Sequence, residues 1–280
     1  MAWSRSMNIS FLMPCRIESE DRLKNVITSV GYLAYNFPKS KIIIKEVDTQ
    51  SIFKLKAVPI LEQLFGSIPS NINHIFEQSE EKFFHKTRIL NDLLIESDTE
   101  IVYNYDVDVV YPISSYHTAY QMITKDGYDA VYTYGCGIYQ WAVDYPIELF
   151  DSFIQSKFNL DTLKPGCKLQ PSVMGWGQMI KRDVEIEAGF WNENFISWGA
   201  EDCEFHYRLP ALGYNVGRVD DFVYHFEHGR TFNSHYHNPK FMDNHNLWQV
   251  IRTLDKNAIL RYYNDQDYVK KRRGEVNASV

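Results

Sequence analysis

Three groups of residues in this sequence have types and spacings that suit chemistry. Asp106-Val107-Asp108 sets two carboxylates one residue apart, directly after the apolar run 101–104. If that run is a buried strand, both carboxylates emerge at its end and face one cleft. Oxygen ligands of this kind suit Mn2+ or Mg2+, ions that complete their shells with substrate phosphates. The same tripeptide is also common in solvated turns. Trp198-Gly199-Ala200-Glu201-Asp202 opens a helical stretch. Acids in a first helical turn are ordinary partners of the macrodipole, but one aimed into a cleft can also take the proton of an attacking hydroxyl. Gly199 and Ala200 leave room for a ligand, and Trp198 offers a flat face. The third group is His225 and His228, with His235, His237 and His245 downstream. A neutral imidazole is a good ligand for Mn2+ or Zn2+, whereas a lone histidine is more often structural.

These groups need elements to hold them. Residues 8–13 are an apolar run closed by Pro14, a first strand. Ser19 is placed to cap a helix with Leu23, Val26, Ile27, Val30 and Leu33 on one face. Strands follow at 41–47, 72–76 and 101–104, and helices at 51–65, ending at Gly66, and at 83–96. Four alternations of strand and helix predict an α/β fold with a mostly parallel, doubly wound sheet flanked by helices. Ligands of such sheets bind beyond the carboxyl ends of the strands. Pro14, Arg16, Asp48, Gln78, Asp106 and Asp108 all fall there. After about residue 130 the alternation stops. Residues 135–171 are expected to form an irregular stretch, too long for a passive connection, and 192–200 a second loop. A helix is predicted over 201–208, kinked or ended by Pro210. Short strands are predicted at 215–219 and 222–226, and helix from about 243 onward.

The 280 residues are 45% apolar, enough for one domain with a substantial core. With 29 Lys+Arg against 36 Asp+Glu, the net charge is −7. Such a chain has no global field for nucleic acid or an anionic membrane, although a local basic pocket for one diphosphate stays open. The run Lys270-Lys271-Arg272-Arg273 is read as a solvated helix end, with membrane contact through this basic tail as the alternative. Aromatic residues make up 15%, including 19 Tyr and 6 Trp. Part of that surplus is core, and clustered rings also suit the apolar faces of sugars. The four cysteines are scattered without a CxxC pair, so reduced thiols are expected. Residues 1–6 hold no apolar run of signal-peptide kind, Met7 is a candidate start, and no stretch approaches a membrane span. A cytoplasmic setting is the resulting expectation. Of the sequons at Asn8 and Asn277, the first falls on a buried strand, where glycosylation is not expected.

The order of motifs resembles the beta-1,4-galactosyltransferase family and the related C-terminal region of bacterial chondroitin-type polymerases. Phe76-Glu77-Gln78 and the stretch from Phe84 through Lys86 and Arg88 to Asn91 resemble the family's strand and helix before its DVD motif. Tyr105-Asp106-Val107-Asp108, running on to Pro112, is similar to the DVD segment itself. Trp198 to Asp202 matches W-G-G-E-D, with Ala200 replacing the second glycine. His225 and His228 fall where the family has Met and His before a basic residue, here Arg230. The match covers about 72–230, with a weaker one of Pro14-Cys15-Arg16 to a nucleotide loop.

The resemblance implies a GT-A (Rossmann-like) fold with an irregular acceptor-side half, and an inverting, metal-dependent transferase acting between a UDP-sugar donor and a carbohydrate acceptor. By it, Asp108, His228 and His225 hold Mn2+ or Mg2+, and Asp106 contacts the donor ribose or metal-bound water. Pro14, Arg16, Phe84 and Lys86 line the nucleotide, joined as candidate donor contacts by Asp48, Arg88 and Trp198. Asp202 is the general base and Glu201 holds donor and acceptor hydroxyls. Trp198, Gly199, Ala200 and Tyr139 face the acceptor, Tyr139 from the 135–171 insertion. The chain then divides into a nucleotide-sugar half at about 8–130, an acceptor and catalytic half at about 131–242, and a helical tail at about 243–280. Two rival readings stand beside this one: a zinc-dependent hydrolase or phosphoesterase built on the histidines from His225 to His237, and a non-catalytic glycan-binding module.

Overall fold

The structure is a computed structural model that describes residues 7–278. The expectations on residues 1–6 and on the serine of the second sequon lie outside the described residues. The first half alternates as predicted: β1 (Ile9–Cys15), α1 (Glu20–Asn36), β2 (Lys41–Asp48), a π-helical turn (Phe53–Ala57) leading into α2 (Val58–Phe65), β3 (Ile72–Gln78), α3 (Lys86–Glu96) and β4 (Ile101–Tyr105). Then come β5 (Val109–Val110), α4 (Ile113–Thr124), β6 (Ala130–Tyr132), β7 (Gln140–Val143), α5 (Ile147–Gln155), β8 (Cys167–Gln170), β9 (Gly177–Lys181) and α6 (Arg182–Glu187). The chain closes with α7 (Glu201–Leu212), β10 (Val216–Arg218), β11 (Val223–Phe226), α8 (Phe241–Ile251), α9 (Lys256–Asp265) and α10 (Asp267–Ala278).

Seven strands form the main sheet in the order β10-β6-β9-β4-β1-β2-β3. Pairing is parallel except at β9, which runs antiparallel between β4 and β6. Central strands bury both faces, and their side chains alternate between two apolar layers. Ile9, Phe11 and Met13 of β1 and Ile101 and Tyr103 of β4 enter one layer, with α1 and α4. Leu12, Ile43 and Val102 enter the other, with α3 and α7. A second sheet, β5-β11-β7-β8, stands beside the first.

Three expectations are corrected. Residues 135–171 are not irregular, because they supply β7, α5, a 3-10 segment and β8, so that two of the four strands of the second sheet come from this region. Strand β1 runs through Pro14, which pairs in register with Lys45. Pairing with β4 ends at Leu12, so Pro14 lies where one side of the strand has no partner and a missing N–H is tolerated. Helix α7 continues past Pro210 to Leu212 and stops at Gly213, φ 98°. Proline there removes one N–H from the ladder, the one that would meet the His206 carbonyl, yet the helix runs two residues further. All four cysteines are unpaired. Among the described residues no helix is long and apolar enough to cross a membrane.

The tyrosine surplus is largely core. Tyr32, Tyr103, Tyr105, Tyr111 and Tyr116 are fully buried. The Tyr105 hydroxyl donates to the Val109 carbonyl at 2.9 Å, bracing the short turn that holds Asp106 and Asp108.

Arg208 is also fully buried. It pairs with Glu204 at 2.9 Å, donates to the Ala188 carbonyl at 2.7 Å and stacks 4.0 Å above the Tyr263 ring. Tyr263 in turn donates to Glu204, tying α7 to α9. Removing one partner of such a pair strands a buried charge and costs about 3–5 kcal/mol. Glu204→Ala is expected to lower the unfolding free energy by about that amount in urea titration. A loss below about 1 kcal/mol would contradict a structural role for the pair.

Candidate active site

The site is built where β4 leaves the main sheet. Four residues after Tyr105, at Val109, the chain enters β5 of the second sheet, so Asp106, Val107 and Asp108 bridge the two sheets. Both ends are pinned: the Asp106 N–H donates to the Trp176 carbonyl at 3.0 Å, and the Phe226 N–H donates to the Asp108 carbonyl at 2.9 Å. Strand β11 pairs antiparallel with β5, setting His225 opposite Val109. That register brings the two histidines to Asp108. His228 Nε2 lies 3.1 Å and His225 Nε2 3.8 Å from Asp108 Oδ2.

The other ring nitrogens are occupied. His228 Nδ1 lies 2.9 Å from the Gly229 carbonyl, which can only accept, and His225 Nδ1 lies 3.0 Å from Glu227 Oε1. Outer partners of this kind orient metal-binding imidazoles. With Nδ1 protonated, a neutral imidazole turns its Nε2 lone pair toward the Asp108 oxygen, an acceptor facing an acceptor that a cation between them resolves; without the ion, a protonated Nε2 donates to that oxygen instead. Asp108 Oδ1 is buried without any hydrogen-bond partner. Among the described residues, Asp108, His225 and His228 are the one group whose ligand atoms all lie within 4.8 Å of one another. The residues therefore fit a divalent ion. Burial alone would raise the Asp108 carboxyl, but the His228 hydrogen bond and the fields of both histidines more than reverse this and hold it well below the usual range. Burial would lower His225, and Glu227 and Asp108 outweigh it.

Facing this group is an acidic corner closed by one lysine. Lys86, at the start of α3, lies 3.0 Å from Asp106, 3.5 Å from Asp202 and 3.9 Å from Glu201. Burial opposes its charge, yet the three carboxyls raise its pKa well above the ordinary value. Asp106 is raised, chiefly by burial and by Asp108 and Asp202 against the pull of Lys86. Burial, with Asp202 adding to it, pushes Glu201 up to about 8, well above the ordinary carboxylate range. The Gly199 N–H donates to it at 3.0 Å. Gly175, at φ 118°, packs against Asp202: a Cβ there would come within 2.7 Å of Oδ2.

These residues share a cleft of about 540 Å³, a size suited to a small ligand. Pro14, Arg16, Phe84, Lys86, Trp198, Gly199 and Ala200 line it together with both acid groups and both histidines. The Arg16 guanidinium lies 5.5 Å from the Phe84 ring and donates to the Val47 carbonyl at 2.9 Å. Trp198 stacks on Phe241 at 5.6 Å.

Three candidates stand apart from the cleft lining. Asp48, at the end of β2, accepts from its own neighbour Thr49 at 2.7 Å. Arg88 is held by Glu77 at 2.8 Å and Asp92 at 3.7 Å, since two residues along α3 from Lys86 turn it to the opposite side of the helix. Tyr139 packs on Phe222 at 5.3 Å, covering Gly135 beside the second sheet. The downstream histidines do not join Asp108. His235 and His237 stack on each other at 4.6 Å in a separate hollow, and His245 lies by Gln249 on α8. Trp176 is a cleft residue that the sequence reading passed over. Its ring lies 5.7 Å from His225, and the flanking glycines of Gly175-Trp176-Gly177 were the available signal.

With solved structures the chain shares its fold. It matches the mannosyltransferase PcManGT of Pyrobaculum calidifontis, solved with GDP-Man and Mn2+, at 13% identity and TM-score 0.55, over 97% of this chain and 72% of that one. The match to residues 1–349 of S. aureus TarS, solved with UDP-GlcNAc, is 15% identical with TM-score 0.58, over 92% and 72%. That to GalNAc-T7, solved with UDP, GalNAc and Mn2+, is 12% identical with TM-score 0.60, over 96% and 55%. No protein-family model matches the sequence, and no curated protein sequence matches it. The architecture is that of GT-A-type glycosyltransferases, a mostly parallel sheet flanked by helices.

Ala200 holds a left-handed conformation, φ 68°, where α7 begins. A Cβ in that region costs about 1–2 kcal/mol. Ala200→Gly is expected to raise stability by roughly 0.5–1 kcal/mol, the relief being partly offset by glycine's greater unfolded freedom. Thermal or urea unfolding measures it, and destabilisation would contradict strain at this turn.

Proposed function

We propose that the chain is a divalent-metal-dependent, inverting glycosyltransferase that takes a hexose or N-acetylhexosamine from a UDP-sugar and places it on a carbohydrate hydroxyl. The observation that carries the reading is the convergence of Asp108, His225 and His228 at one side of a single cleft, with Asp202 at the other. The nucleotide-sugar half is taken as about 8–130 and the acceptor half as about 131–242.

Asp108, His225 and His228 would hold Mn2+ or Mg2+, which when bound offsets the charge gathering on a departing diphosphate. Pro14, Arg16 and Phe84 line the end of the cleft given to the nucleotide. The acceptor oxygen attacks the anomeric carbon as the bond to the diphosphate breaks, and Asp202 takes the hydroxyl proton. Glu201, raised by its burial and by Asp202, holds donor and acceptor hydroxyls. Lys86 keeps the acidic corner from repelling the donor's phosphates. Trp198 presents an aromatic face to the sugars. The rival hydrolase reading gains no additional ligand from His235 or His237, which lie in their own hollow.

Calorimetric titration with UDP should show binding that needs Mn2+ and disappears in Asp108→Ala. Failure of the wild type to bind UDP with any divalent ion would overturn the reading. For Asp202→Asn, turnover on a panel of UDP-sugars should fall about 100- to 10,000-fold, while UDP affinity stays within about threefold. Normal turnover in that variant would remove Asp202 from the role of base.

A further inference from the structure

The cations of the cleft differ in how far the protein itself satisfies them. Arg16 donates to the carbonyls of Val47 and Lys82, Arg230 to that of Ser234, and Lys86 is closed in by three carboxyls. Arg22, in the first turn of α1, also lines the cleft but has almost no partner. Its ion pair with Glu18 is long, 3.8 Å, and Glu18 is already engaged by Thr231 at 2.7 Å and Asn233 at 3.0 Å. The Arg22 Nε is buried and makes no hydrogen bond. A charged donor shut away from water without an acceptor is costly, and a ligand oxygen would remove that cost.

The surroundings indicate which oxygen. Asn25, one turn further along the same face of α1, donates to the Phe226 carbonyl at 3.0 Å. That bond fixes the start of α1 against the strand end carrying His225, and the charge of Arg22 acts on Asp108. Arg22 thus stands at the metal-binding end of the cleft, while Arg16 and Phe84 stand together elsewhere along its wall.

Building on the UDP-sugar reading, we propose that Arg22 is a donor-diphosphate ligand whose guanidinium binds the outer phosphate, the one that departs with the electrons of the broken C–O bond. Its planar fork matches two phosphate oxygens at once. Neither Asp106, Asp108 nor the histidines can supply such a donor while they face a cation.

The test is calorimetry with UDP and UMP in Mn2+ on wild type, Arg22→Met and Arg22→Lys, with circular dichroism melts as a check on folding. Arg22→Met is expected to weaken UDP about 10- to 100-fold and UMP by less than about threefold, collapsing the preference for the diphosphate. Arg22→Lys keeps the charge without the fork and recovers part of it. Where the Met variant melts early, the Lys variant carries the comparison. An unchanged UDP-to-UMP preference, or equal weakening of both, overturns the assignment. Wild-type protein that binds neither nucleotide would instead strike the glycosyltransferase reading on which it stands.

Discussion

The arrangement of the site depends on a three-residue crossing between two sheets. β4 ends at Tyr105 and β5 begins at Val109, so Asp106 to Asp108 form the short turn that links the two sheets. Hydrogen bonds to Trp176 and from Phe226 fix the two ends, and the Tyr105 hydroxyl closes the turn from beneath. The carboxylates inherit the rigidity of both sheets. The histidines inherit it too, because β11 hydrogen-bonds β5 in a register that sets His225 opposite Val109. A slip of one residue would turn His225 to the opposite face of the strand.

Around that crossing the charges balance only as a set. Four carboxyls, those of Asp106, Asp108, Glu201 and Asp202, gather against Lys86 and two imidazoles. In a half-buried cleft a shared cation and a held proton are what make such crowding tolerable. Burial raises Glu201 and the surrounding carboxyls raise Lys86, so the cleft has one side where histidines and Asp108 fit a cation and another where carboxyls crowd a lysine. The backbone accommodates this with glycine at Gly175, where a side chain would collide with Asp202, and with a strained alanine at Ala200.

Much of this was legible beforehand for reasons that can be named. The buried strands announce themselves as apolar runs, because both of their faces are covered. The acids at 106–108 and 201–202 follow, since a carboxyl at a strand end or helix start has few other positions to take. Asp48 and Arg88 fit the same pattern yet turn away from the cleft, because position along an element does not state which neighbour a side chain meets. Arg88 is one residue short of the three- or four-residue step that would keep it beside Lys86, and an ion pair with Glu77 holds it away from the cleft. The stretch 135–171 looked irregular because its strands, of four residues each, are too short to show a period. Trp176 and Arg22 went unseen because their importance lies in what is near them.

The amino-acid sequence by itself determined the alternation of strands and helices, the apolar layers between them and the chemical types available at the strand ends, since these follow from local periodicity and side-chain chemistry. Only the tertiary structure decided which of five clustered histidines meet Asp108, that Lys86 closes the acidic corner, and that Arg22 has no acceptor of its own. Those outcomes depend on pairings between residues more than a hundred positions apart, as for Asp108 with His228 and Lys86 with Asp202. Strand register and sheet order set such pairings, and neither is carried by any local stretch of chain.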